Sequence, residues 1–170
     1  MNLTEIRPDE LIVIDTNILV YATQQRSREC EQLLARCARG EVRGVVPISV
    51  VAELMHRLMV LEARENGWIV RANPSRALSE KPESVRRLTN YAKQMHEFLG
   101  IGLRLEPVTR VDLIESMSVQ REFGLLTNDS LLVAVARRIN CESIASADKG
   151  FAGLRGLTVY EPSDIKDQAT

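Results

Sequence analysis

The run Leu11-Ile-Val-Ile14 is apolar throughout, mostly β-branched, and stops at Asp15. A run without polar alternation predicts a strand covered on both faces, as in a parallel sheet. Asp15-Thr16-Asn17 breaks it and predicts a helical turn through Ile18-Leu-Val-Tyr21. Over 28–39, Cys30, Leu33, Leu34 and Cys37 share one face at helical spacing, and Gly40 supplies the stop. Gly44-Val-Val-Pro-Ile48 predicts a second strand, with Pro47 near its end because proline gives no ladder donor. Ser49 is then the expected cap of a long helix reaching about Asn66, striped by Val50, Leu54, Leu58 and Leu61.

Residues 67–82 contain Pro74 and Pro82, are polar and lack periodicity, which predicts a loop. Helical spacing returns over 83–99 through Val85, Leu88, Ala92, Met95 and Leu99. A short strand is expected at 104–108. Thr109 caps a helix over 110–123 that Gly124 ends, and another helix follows over 129–139. The last strands fall at 142–146 and 157–160. Strands alternating with helices predict a three-layer α/β/α fold around a mostly parallel sheet of about five strands. No internal repeat divides the chain, so residues 1–170 are read as a single domain with its core at about 11–162.

Composition narrows the function. At 170 residues, 45% hydrophobic and 26% charged, the chain has ordinary globular character. Aromatics are only 4%, which argues against a nucleic-acid module built on stacking aromatics. A net charge of −1 excludes a generally basic nucleic-acid binder but leaves room for a local basic face. Cys30, Cys37 and Cys141 are odd in number and lack C-x-x-C spacing, so disulfides and zinc are not expected. No run is long and apolar enough to span a bilayer. The chain is expected to be cytoplasmic, without membrane association.

The chemistry lies in four acids. Asp15 and Asp148 end the apolar runs Leu-Ile-Val-Ile-Asp15 and Ser-Ile-Ala-Ser-Ala-Asp148; Glu53 and Asp129 open helical stretches. A parallel sheet brings strand ends and helix starts to one edge. Each acid also has a plain role, since Asp caps turns and Glu suits a helix's first turn. Glu53, however, sits among Val50, Val51, Ala52, Leu54 and Met55, which predicts a buried, partnered carboxylate. Four carboxylates gathered at one edge repel one another unless a cation lies between them. An all-oxygen donor set suits Mg²⁺ or Mn²⁺ and suggests metal-dependent phosphodiester hydrolysis. His56 and His96 are too isolated for a metal site or a Ser-His-Asp arrangement, and are expected to be structural or surface residues.

Ile14-Asp15-Thr16-Asn17, Ala52-Glu53-Leu54, Asn128-Asp129-Ser130-Leu-Leu-Val-Ala-Val-Ala136 and Ser146-Ala147-Asp148-Lys149-Gly150-Phe151 stand in this order. In order and spacing they resemble the PIN-domain nucleases, over 11–162. The resemblance implies a PIN-like fold and an endoribonuclease that cleaves single-stranded RNA with Mg²⁺ or Mn²⁺. Asp15, Glu53, Asp129 and Asp148 match the family's catalytic, metal-site acids, with Thr16, Asn17 and Ser146 in supporting polar positions. The small size is similar to VapC-type toxins, which implies a cognate antitoxin and a homodimer. For the dimer, Leu113, Ile114 and Met117 are candidates for an exposed apolar patch.

Between Leu54 and Phe98, eight basic residues stand against five acids, a local surplus suited to a polyanion. Arg57, Arg64, Arg71 and Arg76, with the lone Trp68, are the candidate RNA contacts; for Trp68, packing of the 67–82 segment against the neighbouring helix is the favoured reading. Other readings are an RNA-processing or decay nuclease without an antitoxin, and a catalytically silent binding module. A haloacid-dehalogenase phosphatase also begins with a strand ending in Asp, but needs a second Asp where this chain has Asn17.

Overall fold

The computed structural model describes residues 1–70 and 73–166, so Arg71 lies outside the described residues. Five short strands, β1 (Leu11–Ile14), β2 (Arg43–Pro47), β3 (Arg104–Glu106), β4 (Ser143–Ala145) and β5 (Thr158–Tyr160), pair in parallel in the order β3-β2-β1-β4-β5. Val13 lies opposite Val45 on one side and Ile144 on the other. Ile12, Val13, Ile14, Val45, Val46, Ile144 and Ala145 are fully enclosed. That is what an uninterrupted apolar run requires in a sheet covered on both faces.

The helices are α1 (Thr16–Thr23), α2 (Arg28–Ala38), α3 (Ile48–Glu65), α4 (Pro74–Ser79), α5 (Pro82–Arg87), α6 (Asn90–Gly100), α7 (Arg110–Phe123) and α8 (Thr127–Arg138). Close approach of α2 and the β3 approach to the sheet depends on Gly44. A Cβ there would stand 2.7 Å from both Cys37 Sγ and Leu103 Cδ2. Gly124 ends α7 in the left-handed region, at a φ of 72°, a conformation glycine adopts without penalty.

Several boundaries differ from the sequence reading for local reasons. Strand β2 runs directly into α3, so Pro47, not Ser49, is the cap residue, and no side chain caps this helix. Residues 67–82 are not simply a loop. Asn73 accepts a hydrogen bond from the Arg76 amide, and Pro74 and Pro82 occupy first-turn positions of α4 and α5. Proline is favoured there because its missing N–H would have no partner anyway. The single helix expected over 83–99 is broken between α5 and α6. The buried Glu62 carboxylate of α3 accepts the amides of Thr89 and Tyr91, both at 2.8 Å, and fixes the break. Around it a second small core forms from Ala63, Ile69, Ala77, Leu78 and Leu88.

A charged network joins β3, α7 and α8. Arg138 donates to Glu106 at 2.8 Å, to Asp112 at 2.7 Å and to the Pro107 carbonyl at 2.8 Å. Both carboxylates are buried. Burial raises the Asp112 carboxyl, but hydrogen bonds from Arg138 and Thr109 outweigh it and hold the group below its ordinary value. Glu106 is likewise lowered, chiefly by Arg138. Replacing Arg138 by Met removes the guanidinium that the two buried carboxylates share, leaving Glu106 with Arg104 and Asp112 with Thr109, and should cost about 3 kcal/mol. Because the folded carboxyls titrate below their unfolded values, their contribution is complete above about pH 4 and lost below it. Urea unfolding should therefore show a gap between wild type and Arg138→Met at pH 7 that closes in acid. A gap unaffected by acid would show that the pairing contributes nothing.

Candidate active site

The chain runs β1, β2, β3 outward on one side of the sheet, then crosses to β4 and β5 on the other. The strand order thus reverses between β1 and β4, and the crevice outside such a reversal is the usual ligand position in open parallel sheets. Asp15 immediately follows β1 and caps α1, and it is only 8% exposed. Its Oδ1 accepts the Thr16 amide at 2.6 Å. Its Oδ2 accepts the Asn17 side-chain amide at 2.5 Å and the Ser146 hydroxyl at 2.7 Å.

Ser146, just past β4 and fully buried, ties the two strand ends together. Its Oγ donates to Asp15 and accepts from Asn17 Nδ2 at 3.1 Å and from the Asp148 amide at 3.0 Å. Asn17 Oδ1 in turn accepts the Ala147 amide at 2.9 Å. Asp148 is exposed and caps the short 3-10 turn Lys149–Phe151 by accepting the Gly150 amide at 2.8 Å. The supporting hydrogen bonds expected of Asn17 and Ser146 are present. Thr16 contributes only its backbone, and its hydroxyl is buried without a hydrogen-bond partner.

Glu53 lies in the second turn of α3. It is partnered but not buried, its side chain being 23% exposed. Arg57, one turn later, pairs with its Oε1 at 2.6 Å, and Asn128 donates to its Oε2 at 2.8 Å. Asn128 escaped the sequence reading as a partner of Glu53. Its only sequence signal is its position beside Asp129. Asp129 sits in the first turn of α8, which begins at Thr127, so it is not the cap. Among the described residues it alone of the four acids has no hydrogen-bond partner.

The four carboxylates share one electrostatic environment. Burial pushes the Asp15 carboxyl up to about 6 against the pull of the Ser146 and Thr16 hydrogen bonds, and the charges of Asp129 and Glu53 add to the rise. Burial also raises Asp129, with Asp148 and Glu53 pushing the same way and Arg57 opposing. Among the described residues no three acids, histidines or cysteines stand close enough together to hold a metal ion between them. The donor chemistry nevertheless fits a hard divalent cation, since every side chain offered is an oxygen ligand and the charges of Asp15 and Asp129 are disfavoured as they stand.

The candidate RNA contacts divide. Arg57 and Arg64 line a groove between α1 and α3 that begins at Asn17. Trp68 lies elsewhere, packed on the second small core with the Arg87 guanidinium 4.4 Å from its ring centre. Arg76 pairs with Glu80 on the exposed side of α4. The packing reading of Trp68 is the one that these contacts favour.

A PIN domain family model matches residues 12–157. The chain belongs to the PIN domain family. Its members are nucleases, and the α/β/α fold agrees with the match. No curated protein matches the chain significantly. Among solved structures it is similar to VapBC2 from Rickettsia felis bound to a promoter DNA fragment, at 16% identity and a TM-score of 0.59 over 89% of this chain and 98% of that one. A toxin–antitoxin complex from Klebsiella pneumoniae is similar at 17% identity and a TM-score of 0.57, over 86% and 95%. At these identities the likeness is one of fold.

If crowding of negative charge governs this edge, Asp129→Asn should stabilise the protein in the absence of divalent ions. The gain expected is about 0.5–1 kcal/mol at neutral pH, since no hydrogen bond is lost and two neighbouring carboxylates are relieved. Thermal unfolding in a chelator measures it. A loss of stability instead would mean that the Asp129 carboxylate is held by contacts and not merely tolerated.

Proposed function

We propose that this chain is a metal-dependent endoribonuclease and the toxin of a VapBC-type pair. The observation that carries the reading is the set of mutually repelling carboxylates, Asp15, Glu53, Asp129 and Asp148, at the strand-order reversal. In this reading they hold Mg²⁺ or Mn²⁺ and are the catalytic acids. When bound, the ion lowers the pKa of a water molecule and offsets charge on the attacked phosphate. The protein's own part is orientation. Ser146 and Asn17 fix the Asp15 carboxylate, while Asn128 and Arg57 fix Glu53. Thr16 supports Asp15 through its amide.

The toxin reading is supported by the toxin–antitoxin assemblies whose folds resemble this one over nearly their full length. It implies a cognate antitoxin as a protein partner and RNA as the substrate. Pairing of two copies is supported by α7, where Val111, Leu113, Ile114 and Met117 are each at least half exposed. Such an apolar face suits burial against a second copy.

Three outcomes test the reading. Purified protein should cleave unstructured RNA only when Mg²⁺ or Mn²⁺ is supplied, and Asp15→Asn should remove the cleavage while keeping the fold; undiminished cleavage by that variant would refute the assignment. Ser146→Ala should weaken metal affinity about 10- to 100-fold, as loss of an orienting partner does elsewhere. By light scattering the protein should have the mass of a dimer at micromolar concentration, and Leu113→Glu with Met117→Glu should give a monomer. A monomeric wild type would exclude the pairing.

A further inference from the structure

The groove between α1 and α3 has a volume of about 490 Å³ and shares Asn17 with the acidic edge. From there Tyr21 and Gln24 follow along α1, and Arg57 and Arg64 along α3, at one-face helical spacing. The lining includes Arg26, Arg57 and Arg64 and no carboxylate. A cluster of four acids thus opens directly onto a trough whose charged side chains are all cationic.

Each cation is differently held. Arg57 is tied to Glu53 and also lowers the Asp129 carboxyl, so it stands at the junction of trough and acids. Arg26 lies 4.8 Å from the centre of the Tyr21 ring and donates to the Lys166 carbonyl at 3.0 Å, which holds ring and guanidinium together. Arg64, at the far end, is exposed, and among the described residues no carboxylate pairs with it. The α4 wall is fixed by a 2.9 Å hydrogen bond between His56 and Ser75.

Resting on the nuclease reading above, we propose that this trough binds the single-stranded RNA flanking the scissile phosphate. Arg57 and Arg64 take backbone phosphates, and an unpaired base lies against the Tyr21–Arg26 pair. The α1 face from Asn17 to Gln24 spans about 10 Å, the length of about three stacked nucleotides. A duplex is excluded because its bases are paired and enclosed within the helix, whereas a single strand can turn a base face to the Tyr21–Arg26 pair. The acids alone would repel a polyanion, so the trough supplies the attraction that brings the chain's substrate to them.

The test uses the full-length protein carrying Asp129→Asn, so that binding is read without cleavage, and a fluorescein-labelled unstructured RNA 10-mer. Arg64→Gln should lower the slope of log affinity against log salt by about one. Tyr21→Ala should weaken binding about five-fold or more, the lower range for loss of one stacked base. Arg64 is exposed, so its variant keeps the fold even if Tyr21→Ala does not, and thermal unfolding verifies both. A double-stranded RNA of equal length should bind at least five-fold more weakly than the single strand. Unchanged RNA affinity and salt slope in Arg64→Gln overturn the proposal and leave the trough to a protein segment. Cleavage by the chain with an intact Asp129 separates the two readings. Normal metal-dependent cleavage with no effect of Arg64→Gln refutes the trough and keeps the nuclease, whereas trough-dependent binding without cleavage does the reverse.

Discussion

The reversal of strand order between β1 and β4 is the constraint on which the rest of this molecule depends. Because β1 continues outward to β2 and β3 while β4 and β5 build the other side, the segments after β1 and β4 lead into different helices from adjacent strand ends. Asp15 and Ser146 meet at those ends. One hydroxyl, accepting from Asn17 and the Asp148 amide while donating to Asp15, fixes the Asp15 carboxylate against the backbone that follows β4. Helices α3 and α8 then bring Glu53 and Asp129 to the same edge from outside the sheet.

Electrostatically the edge is frustrated. Hydrogen bonds and Arg57 offset part of the repulsion, but Asp15 and Asp129 remain harder to ionise than free carboxylates. Elsewhere the fold treats buried acids differently. Glu62 and Asp112 are also enclosed, yet both are lowered, because backbone amides or a guanidinium fully serve them. The contrast separates acids whose charge the fold satisfies from acids whose charge it leaves disfavoured.

Much of this was legible in the sequence because it rests on short-range rules. The β-branched run Leu11–Ile14 gave its strand, Thr109 and Gly124 bounded α7, and the four acids stood at strand ends and helix starts. What escaped depends on partners distant in sequence. Nothing local announces that Glu62 takes the amides of Thr89 and Tyr91 and so splits a periodic stretch into α5 and α6. Pro74 and Pro82 carry the same identity in a loop as at a helix start. Glu53 misled for a similar reason, since its apolar neighbours Ala52 and Met55 are themselves exposed on the outer face of α3. Trp68 drew attention by rarity, whereas Tyr21, ordinary in its setting, lines the trough.

The Glu62 contact has a consequence for how the molecule breathes. Helix α3 serves two cores, packing Val50, Leu54 and Leu58 on the sheet and Ala63 on the small cluster with Ile69, Ala77, Leu78 and Leu88. The second core is small and closes mainly on its own neighbours, with the carboxylate as a clasp. Amides of α4 and α5 should therefore exchange with solvent through a local opening that leaves β1 and β4 protected. Such an opening would also loosen the α4 wall of the trough, since Pro74 and Ser75 line it and Ser75 is held to α3 by His56.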